Sequence, residues 1–376
     1  MKRRILGVVL CLLLVGQAGA VNLNTSSQAL LLMEKQTGQI LYAQNEHQQL
    51  EPASVTKVMT LLLIMEAVDA GSIGYDDVVP VSAYAAAMGG SQVYLAEGEH
   101  ITVSELLKAI CVASGNDAAV AMAEYVAGSE ENFVEKMNRR AEELGMKDTV
   151  FLNCTGLPAK GHVSSAYDVA LMSRELILHH PDLRQYTTIW MDSLRDGTFI
   201  LANTNKLIRF YDGATGLKTG STSTAGYCVS ATAERDSMEL IAVVMKGLTG
   251  EKRFADAKTL LNYGFSTYAL TQIQPGQALR PVDVRLGAEE TVQPVLEENN
   301  CLLLEKSRLG KLEQKITLVE QVEAPVEQGQ RLGELTVSEG DEVLAVLPIL
   351  ASGSVAKLSW GQVMAELLRI TLLASD

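Results

Sequence analysis

The sequence predicts an α+β fold: helices packed on an antiparallel sheet, followed by a small all-β domain and a C-terminal amphipathic helix. Three patterns carry that prediction. Apolar residues recur at helical spacing after Ser54, over most of residues 82–145 and over residues 251–270. Between residues 216 and 246 the period drops to two. Beyond Pro275-Gly276, short alternating stretches broken by Gly and Pro run to about residue 350.

The chain opens with Lys2, Arg3 and Arg4, then an apolar run over residues 5–15, then Gln17-Ala18-Gly19-Ala20. Residues 1–20 therefore read as a secretory signal peptide cut after Ala20. The run is short for a spanning helix of about 20 residues. Cys11 lies inside it, whereas a lipoprotein cysteine would follow small residues at its end. Loss of this segment removes three cations and no anion, taking the formal net charge from −14 to −17. So acidic a protein is a poor partner for nucleic acid, and its charge repels bare anionic lipid. Cys111, Cys154, Cys228 and Cys301 have no C-x-x-C spacing for metal or redox chemistry. They are expected as isolated thiols packed like small apolar groups, with a disulfide left open.

Residues 28–45 read as a hairpin turning at Thr37-Gly38. Pro52-Ala53 leads into a helix from Ser54, with Val55, Val58, Met59, Leu62 and Leu63 at helical spacing. Ser54 after Pro52 also suits a helix N-cap. Thr102-Val103-Ser104-Glu105 resembles a capping box for a helix to about residue 112. Ser114-Gly115-Asn116-Asp117 interrupts it as a tight loop, and a helix resumes at Ala118. His179-His180 before Pro181 reads as an exposed helix end. Residues 217–222, 226–233 and 238–246 read as strands. Residues 251–270 follow as a helix with Phe254, Ala257, Leu260, Leu261 and Phe265 on one face. These elements make a first domain, residues 21–274, in which the N-terminal hairpin joins the later strands in one sheet. Residues 275–352 form the all-β domain, with a sandwich as its expected arrangement. Residues 353–376 are helical from about Val355, with Trp360, Val363, Met364, Leu367, Leu368 and Thr371 on one face. Too polar to span, that helix either docks on the β domain or lies in a membrane surface.

Three short motifs stand in order on this frame: Ser54-Val55-Thr56-Lys57, Ser114-Gly115-Asn116 and Lys218-Thr219-Gly220. A second S-x-x-K, Ser354-Val355-Ala356-Lys357, has neither other motif behind it and reads as accidental. Ser54 and Lys57, three apart on a helix, share a face, so the amine can reach the hydroxyl. A lysine at its ordinary pKa near 10.4 is protonated and no base, but burial and a second cation lower it. Lys218 is the candidate for that cation and for holding a substrate carboxylate. Ser114 can relay a proton to a leaving amine. The Asn116 amide can bond both the lysine side and a substrate peptide N–H. Backbone N–H groups supply an oxyanion hole. This is acyl transfer with lysine in the place of histidine. There is no G-x-S-x-G and no H-E-x-x-H, and the histidines lack ligand spacing, so neither a metal nor a cofactor is implied. Asn153-Cys154-Thr155 is a formal glycosylation acceptor, which we discount.

On these residues the chain resembles the D-alanyl-D-alanine carboxypeptidases, the low-molecular-mass penicillin-binding proteins of bacterial cell walls. The resemblance extends to Leu41-Tyr42-Ala43-Gln44-Asn45, Pro52-Ala53-Ser54, Asn153-Cys154-Thr155-Gly156-Leu157, Ser164-Ser165-Ala166-Tyr167-Asp168 and Ala225-Gly226-Tyr227. It implies a β-lactamase/penicillin-binding transpeptidase-like catalytic domain with Ser54 as acylated nucleophile and Lys57 as its base. Ser114 and Asn116 would form the facing wall. Lys218, Thr219, Gly220 and Ser221 would bind substrate, Lys218 and Thr219 at its terminal carboxylate, and the N–H groups of Ser54 and Ser221 would form the oxyanion hole. The implied partners are peptidoglycan stem peptides, β-lactam antibiotics as covalent inhibitors, and the cytoplasmic membrane surface. The implied location is the outer face of that membrane. Some relatives carry His where this chain has Thr155 and a carboxylate-binding Arg where it has Thr204; here Lys206 is the residue available to substitute. Three other readings stay open. A β-lactamase shares the nucleophile, although Gly115 replaces the usual Asp and residues 151–170 hold no Glu for a deacylating water. A D,D-endopeptidase shares every motif. A non-catalytic wall-binding scaffold is opposed by the intact motif residues.

Overall fold

The computed structural model describes residues 22–297 and 300–373. The expected signal peptide, with Cys11, and residues 374–376 lie outside the described residues. Two compact units are present, and the break between them falls at Thr267/Tyr268.

The first unit is built on a five-stranded antiparallel sheet. Its strands are β1 (Ala29–Glu34), β2 (Ile40–Gln44), β3 (Ala214–Thr222), β4 (Gly226–Arg235) and β5 (Met238–Gly247), in the spatial order β2-β1-β5-β4-β3. Every residue of β1 is buried, because both faces of the sheet are covered. Alternate side chains of a strand point to opposite faces. Leu31, Met33, Ile241, Val243 and Met245 join one large core with Val58, Met59 and Leu62 of the helix Lys57–Asp69 and Met172 and Leu176 of the helix Ala166–His179. Leu32 and Leu240 lie on the other face, against Gly264 of the helix Gly250–Thr267. Each fully buried Leu, Met or Val contributes roughly 1.5–3 kcal/mol, so this double-sided core makes the sheet the rigid platform of the unit. β3 lies at an edge of the sheet, with Lys218 opposite Ser230 and Gly220 opposite Cys228.

Several elements depart from the expectations. The helix expected over residues 251–270 ends at Thr267. Tyr268–Gln272 is instead a strand paired with Cys301–Glu305, and the break between units comes before Pro275. The helix after Ser114-Gly115 begins at Asn116, so Asn116 lies in the first helical turn rather than in a loop. His180 is not an exposed helix end: it is 7 % exposed, and its Nδ1 lies 2.5 Å from Asp69 Oδ2, while His179 faces Glu175. Cys111, Cys154 and Cys228 are buried thiols.

Among the described residues the second unit holds three small sheets. One is the pair just named. A second places Val282–Arg285 between Thr291–Val292 and Gln321–Glu323. A third runs Pro294–Leu296, Glu342–Ala351, Arg331–Glu339 and Glu313–Leu318. Val282, Val284, Leu332 and Val355 fill one core, and Leu335, Val337 and Ile349 another. Val355, expected at a helix start, is buried and bridges Val326; the terminal helix is Trp360–Leu373. Lys357 of the second S-x-x-K is exposed and pairs with Glu323 at 3.3 Å.

Candidate active site

Ser54 lies in a 3-10 turn, Ala53–Thr56, and the α-helix proper starts at Lys57. The tighter turn matters, because side chains three apart eclipse at three residues per turn. It sets Lys57 Nζ 3.2 Å from Ser54 Oγ. Pro52 is the N-cap of this turn and Thr56 that of the helix, so the N-cap alternative for Ser54 does not hold. Two glycines let neighbouring backbone close on this turn. A Cβ on Gly156, which has φ +81°, would fall 1.8 Å from the Ala53 carbonyl oxygen. A Cβ on Gly220 would fall 2.7 Å from the Ser54 nitrogen. Gly220 is thus a steric requirement: it lets β3 lie against the turn that carries Ser54.

Lys57 is fully buried, and its Nζ has three oxygen neighbours: Asn116 Oδ1 at 2.6 Å, the Thr155 carbonyl at 2.8 Å and Ser54 Oγ at 3.2 Å. The Asn116 amide is oriented by its Nδ2, which donates to the Gly89 carbonyl at 2.6 Å. Both Asn116 Oδ1 and Thr155 O can only accept. A neutral amine has two N–H groups and one lone pair. With the two N–H groups spent on those acceptors, the lone pair is left facing the Ser54 hydroxyl. Burial, and after it the positive charge of Lys218, hold the Lys57 pKa well below the ordinary lysine range. Cys154 and Asp117 oppose the shift. Burial drives the Cys154 thiol well up as well, so it is neutral near pH 7 and its opposition is weak.

Lys218 is 1 % exposed on β3, and its Nζ donates to the Thr219 carbonyl at 3.0 Å. Burial brings its pKa down to about 7. Cys111 opposes this, but its own thiol is pushed up to about 12 and carries no charge at neutral pH; Arg253 adds to the lowering. Thr219 Oγ1 donates to Thr204 Oγ1 at 2.8 Å. Lys206 is exposed and shares a groove with Thr204, Arg253 and Lys258. Ser221 is exposed on β3 beyond Gly220.

Ser114 ends a π-helical turn, Ala109–Ala113, that continues the Thr102-capped helix Val103–Lys108. Its φ is +64°, a left-handed value uncommon for a serine, and its buried Oγ has no hydrogen-bond partner among the described residues. A non-glycine residue held there costs roughly 1–3 kcal/mol, and an unpartnered buried hydroxyl is costly too. Both are features of groups held for a ligand. Ser54, Lys57 and Asn116 are joined by direct bonds, Gly220 abuts Ser54, and the charge of Lys218 acts on Lys57.

Four supporting residues lie outside the three motifs. His162 is 2 % exposed; its Nδ1 accepts the Leu152 N–H at 3.0 Å, so its proton is on Nε2, which donates to Thr56 Oγ1 at 2.8 Å. Burial lowers its pKa to about 4, so it stays a neutral brace of the nucleophile turn. Arg253 Nη1 donates to the carbonyls of Gly220 and Cys228, both at 3.1 Å, and ties β3 to β4. Asn205 Nδ2 holds the Gly216 carbonyl at 2.7 Å. Asn153 Oδ1 accepts from Gly156 N at 2.7 Å, and its Nδ2, the nitrogen a glycan would take, donates to the Leu157 carbonyl at 3.0 Å. His162, Arg253 and Asn205, single polar residues with such varied partners, leave no spacing by which a sequence could reveal them.

Two family profiles match the chain. One, described as D-alanyl-D-alanine carboxypeptidase, covers residues 17–249. The other, described as the C-terminal domain of penicillin-binding protein 5, covers residues 268–357. The D-alanyl-D-alanine carboxypeptidase DacF of Bacillus subtilis is 43% identical over 336 residues, 88% of this chain and 86% of that protein. Penicillin-binding protein 5 from Haemophilus influenzae superposes with a TM-score of 0.78 at 28% identity, over 90% of this chain and 100% of that one. Penicillin-binding protein D2 from Listeria monocytogenes in its ampicillin-bound form gives a TM-score of 0.60 at 33% identity, over 65% of this chain and 100% of that one.

Proposed function

From the premise that this chain belongs to the D-alanyl-D-alanine carboxypeptidase family, we propose that Ser54 is its acylated nucleophile and Lys57 the base that activates it. The protein is a serine-type carboxypeptidase of peptidoglycan metabolism, removing the terminal D-alanine from pentapeptide stems. The observation that carries the assignment of roles is a buried lysine amine that lies 3.2 Å from the Ser54 hydroxyl oxygen, with two acceptor oxygens as its other neighbours.

The Ser54 hydroxyl gives its proton to Lys57 as Oγ attacks the carbonyl of the penultimate D-alanine. The N–H groups of Ser54 and Ser221 receive the oxyanion. The C–N bond breaks, and the leaving amine takes the proton from Lys57 through the Ser114 hydroxyl. Water then attacks the ester, Lys57 takes its proton, and Ser54 regains a proton as the acid leaves. A β-lactam carbonyl meets the same hydroxyl and forms an ester at the same oxygen, its lactam C–N bond breaking with the amine still tethered to the acyl group. The direct test is release of D-alanine from a pentapeptide ending in D-Ala-D-Ala, which the protein should catalyse.

Lys218 and Thr219 hold the substrate's free carboxylate. A charged hydrogen bond is worth about 1.5–3 kcal/mol, so Lys218→Gln should lower kcat/KM for the free acid about 50-fold and change the C-terminal amide by less than about threefold. The cation is the protonated form, and its pKa in the free enzyme is about 7. The advantage of acid over amide should therefore be full below pH 7 and shrink as pH rises through it. Equal losses on acid and amide would refute carboxylate recognition by Lys218.

Residues 1–20 direct export, and the terminal helix anchors the mature enzyme to the outer face of the cytoplasmic membrane. Supporting this, Trp360, Met364 and Leu368 form an i, i+4, i+8 stripe with exposures of 86 %, 55 % and 59 %. The charges of residues 355–376 balance, with Lys357 and Arg369 against Glu366 and Asp376, so apolar burial must dominate binding. Binding should therefore resist high salt, which screens charges separated by more than a Debye length, about 8 Å at physiological ionic strength and shorter above it. Truncation after Ser359 spares the buried Val355. It should move the enzyme to the soluble fraction with D-alanine release intact. A truncated form that stays with membranes, or a full-length form washed off by salt alone, would refute the anchor.

A further inference from the structure

We propose that Arg195, outside all three motifs, is a positioning residue: it clamps the loop that orients Asn116 and, through Asn116, Lys57. Arg195 sits in the turn of the hairpin formed by Met191–Leu194 and Phe199–Ala202. Its guanidinium makes a two-pronged bond to Glu99, Nε to Oε1 at 2.7 Å and Nη2 to Oε2 at 3.1 Å. It also donates to two consecutive carbonyls, Val93 O from Nη1 at 3.0 Å and Tyr94 O from Nη2 at 3.1 Å. The same loop is held from the other side by the first turn of the helix Asn116–Ala127. Val93 N and Leu95 N donate to Asp117 Oδ2 at 3.0 and 3.1 Å. Asn116 N donates to Ser91 O at 2.7 Å, and Asn116 Nδ2 donates to Gly89 O at 2.6 Å. The loop is thus strung between Arg195 and the S-x-N motif. Tyr94, at φ +56° and 72 % exposed, is a strained backbone position kept in place by these two sets of bonds.

The consequence falls on the Asn116 amide. Its two ends differ in chemistry, and the Gly89 carbonyl, together with the Lys57 bond to Oδ1, keeps the NH2 end turned away from Lys57. If the loop slackens, that carbonyl moves and the amide can flip. Lys57 would then face two donors instead of an acceptor, and water would enter beside it. Only arginine offers enough donors in one plane to hold a carboxylate and two carbonyls together. Lysine can keep the charge and one or two of the bonds.

The proposal rests on Lys57 being the base. The experiment measures the second-order rate of acylation by benzylpenicillin against pH, with melting temperatures, for the full mature chain and its Arg195→Gln, Arg195→Lys and Lys57→Ala variants. Arg195→Gln should lose about 10²-fold, the scale of a small misplacement in an active site. Its rising pH limb should move to higher pH, because water beside Lys57 relieves the burial that chiefly lowers its pKa. Lys218, Cys154 and Asp117, the ionisable groups acting on Lys57, are present in every Arg195 variant. Arg195→Lys should lie between wild type and Arg195→Gln in both rate and limb. A lowered melting temperature with wild-type rate and limb would overturn the proposal and leave Arg195 a structural residue. Should Arg195→Gln not fold, Arg195→Lys decides alone, and an unmoved limb in it overturns the proposal. Retained acylation by Lys57→Ala would instead remove the premise, which distinguishes the two failures.

Discussion

Lys57→Ala is expected to slow acylation by about 10⁴-fold, the upper range for loss of a general base, while the protein stays folded and the Lys218 side of the site is unchanged. No other group can take over. His162 is the nearest alternative base by chemistry, but one ring nitrogen accepts from Leu152 and the other donates to Thr56. Lys218 sits on β3, with its amine directed to the Thr219 carbonyl. Lys57→Arg should be as inactive as the alanine variant, because a guanidinium does not deprotonate; this separates the need for a base from the need for a charge. The active form of Lys57 is the neutral amine, so acylation rises with pH through its lowered pKa and then levels. Burial is the first cause of that lowering and the Lys218 charge the second, so Lys218→Gln should move the rising limb toward higher pH. The limb is read as initial acylation rate by benzylpenicillin from acid to mildly alkaline pH.

The parts of this molecule that were legible in its sequence are those where chemistry or burial constrains residue types at fixed spacing. Ser54 with Lys57, Ser114 with Asn116, and Lys218-Thr219-Gly220 were readable because acyl transfer by lysine needs those groups in those pairs. β1 was readable as a strand because a continuous apolar run beside a turn matches a strand covered on both faces. What escaped was decided by distant parts of the chain. Nothing within residues 53–56 specifies a 3-10 turn over an α-helical one; the backbone pressing in at Gly156 and Gly220 comes from segments about 100 and 165 residues away. Residues 268–270 suit either a helix or a strand, and the pairing with Cys301–Glu305 decides between them. His180 looked exposed because it precedes a proline, yet Asp69 meets it from another helix. Val355 belongs to the β core through its bridge to Val326, a partner no local pattern reveals. Arg195, Arg253 and His162 each bond at least one backbone atom of another segment, and a backbone atom leaves no mark on sequence.

Ser54→Ala is expected to have the second large effect: D-alanine release falls by about 10⁶-fold, the scale seen when a serine nucleophile is removed. Stability should change by no more than about 0.5 kcal/mol, since Ser54 is the N-cap of neither the turn nor the helix that follows. The central claim is that one hydroxyl, Ser54 Oγ, receives the acyl group. Intact-mass spectrometry of the wild-type protein and Ser54→Ala after incubation with benzylpenicillin tests it most directly. The account expects one added penicilloyl group on the wild type, located by peptide mapping to the segment containing Ser54, and none on the variant. An adduct of the same mass on Ser54→Ala, or a wild-type adduct mapped to Ser114, Ser221 or another residue, would contradict it.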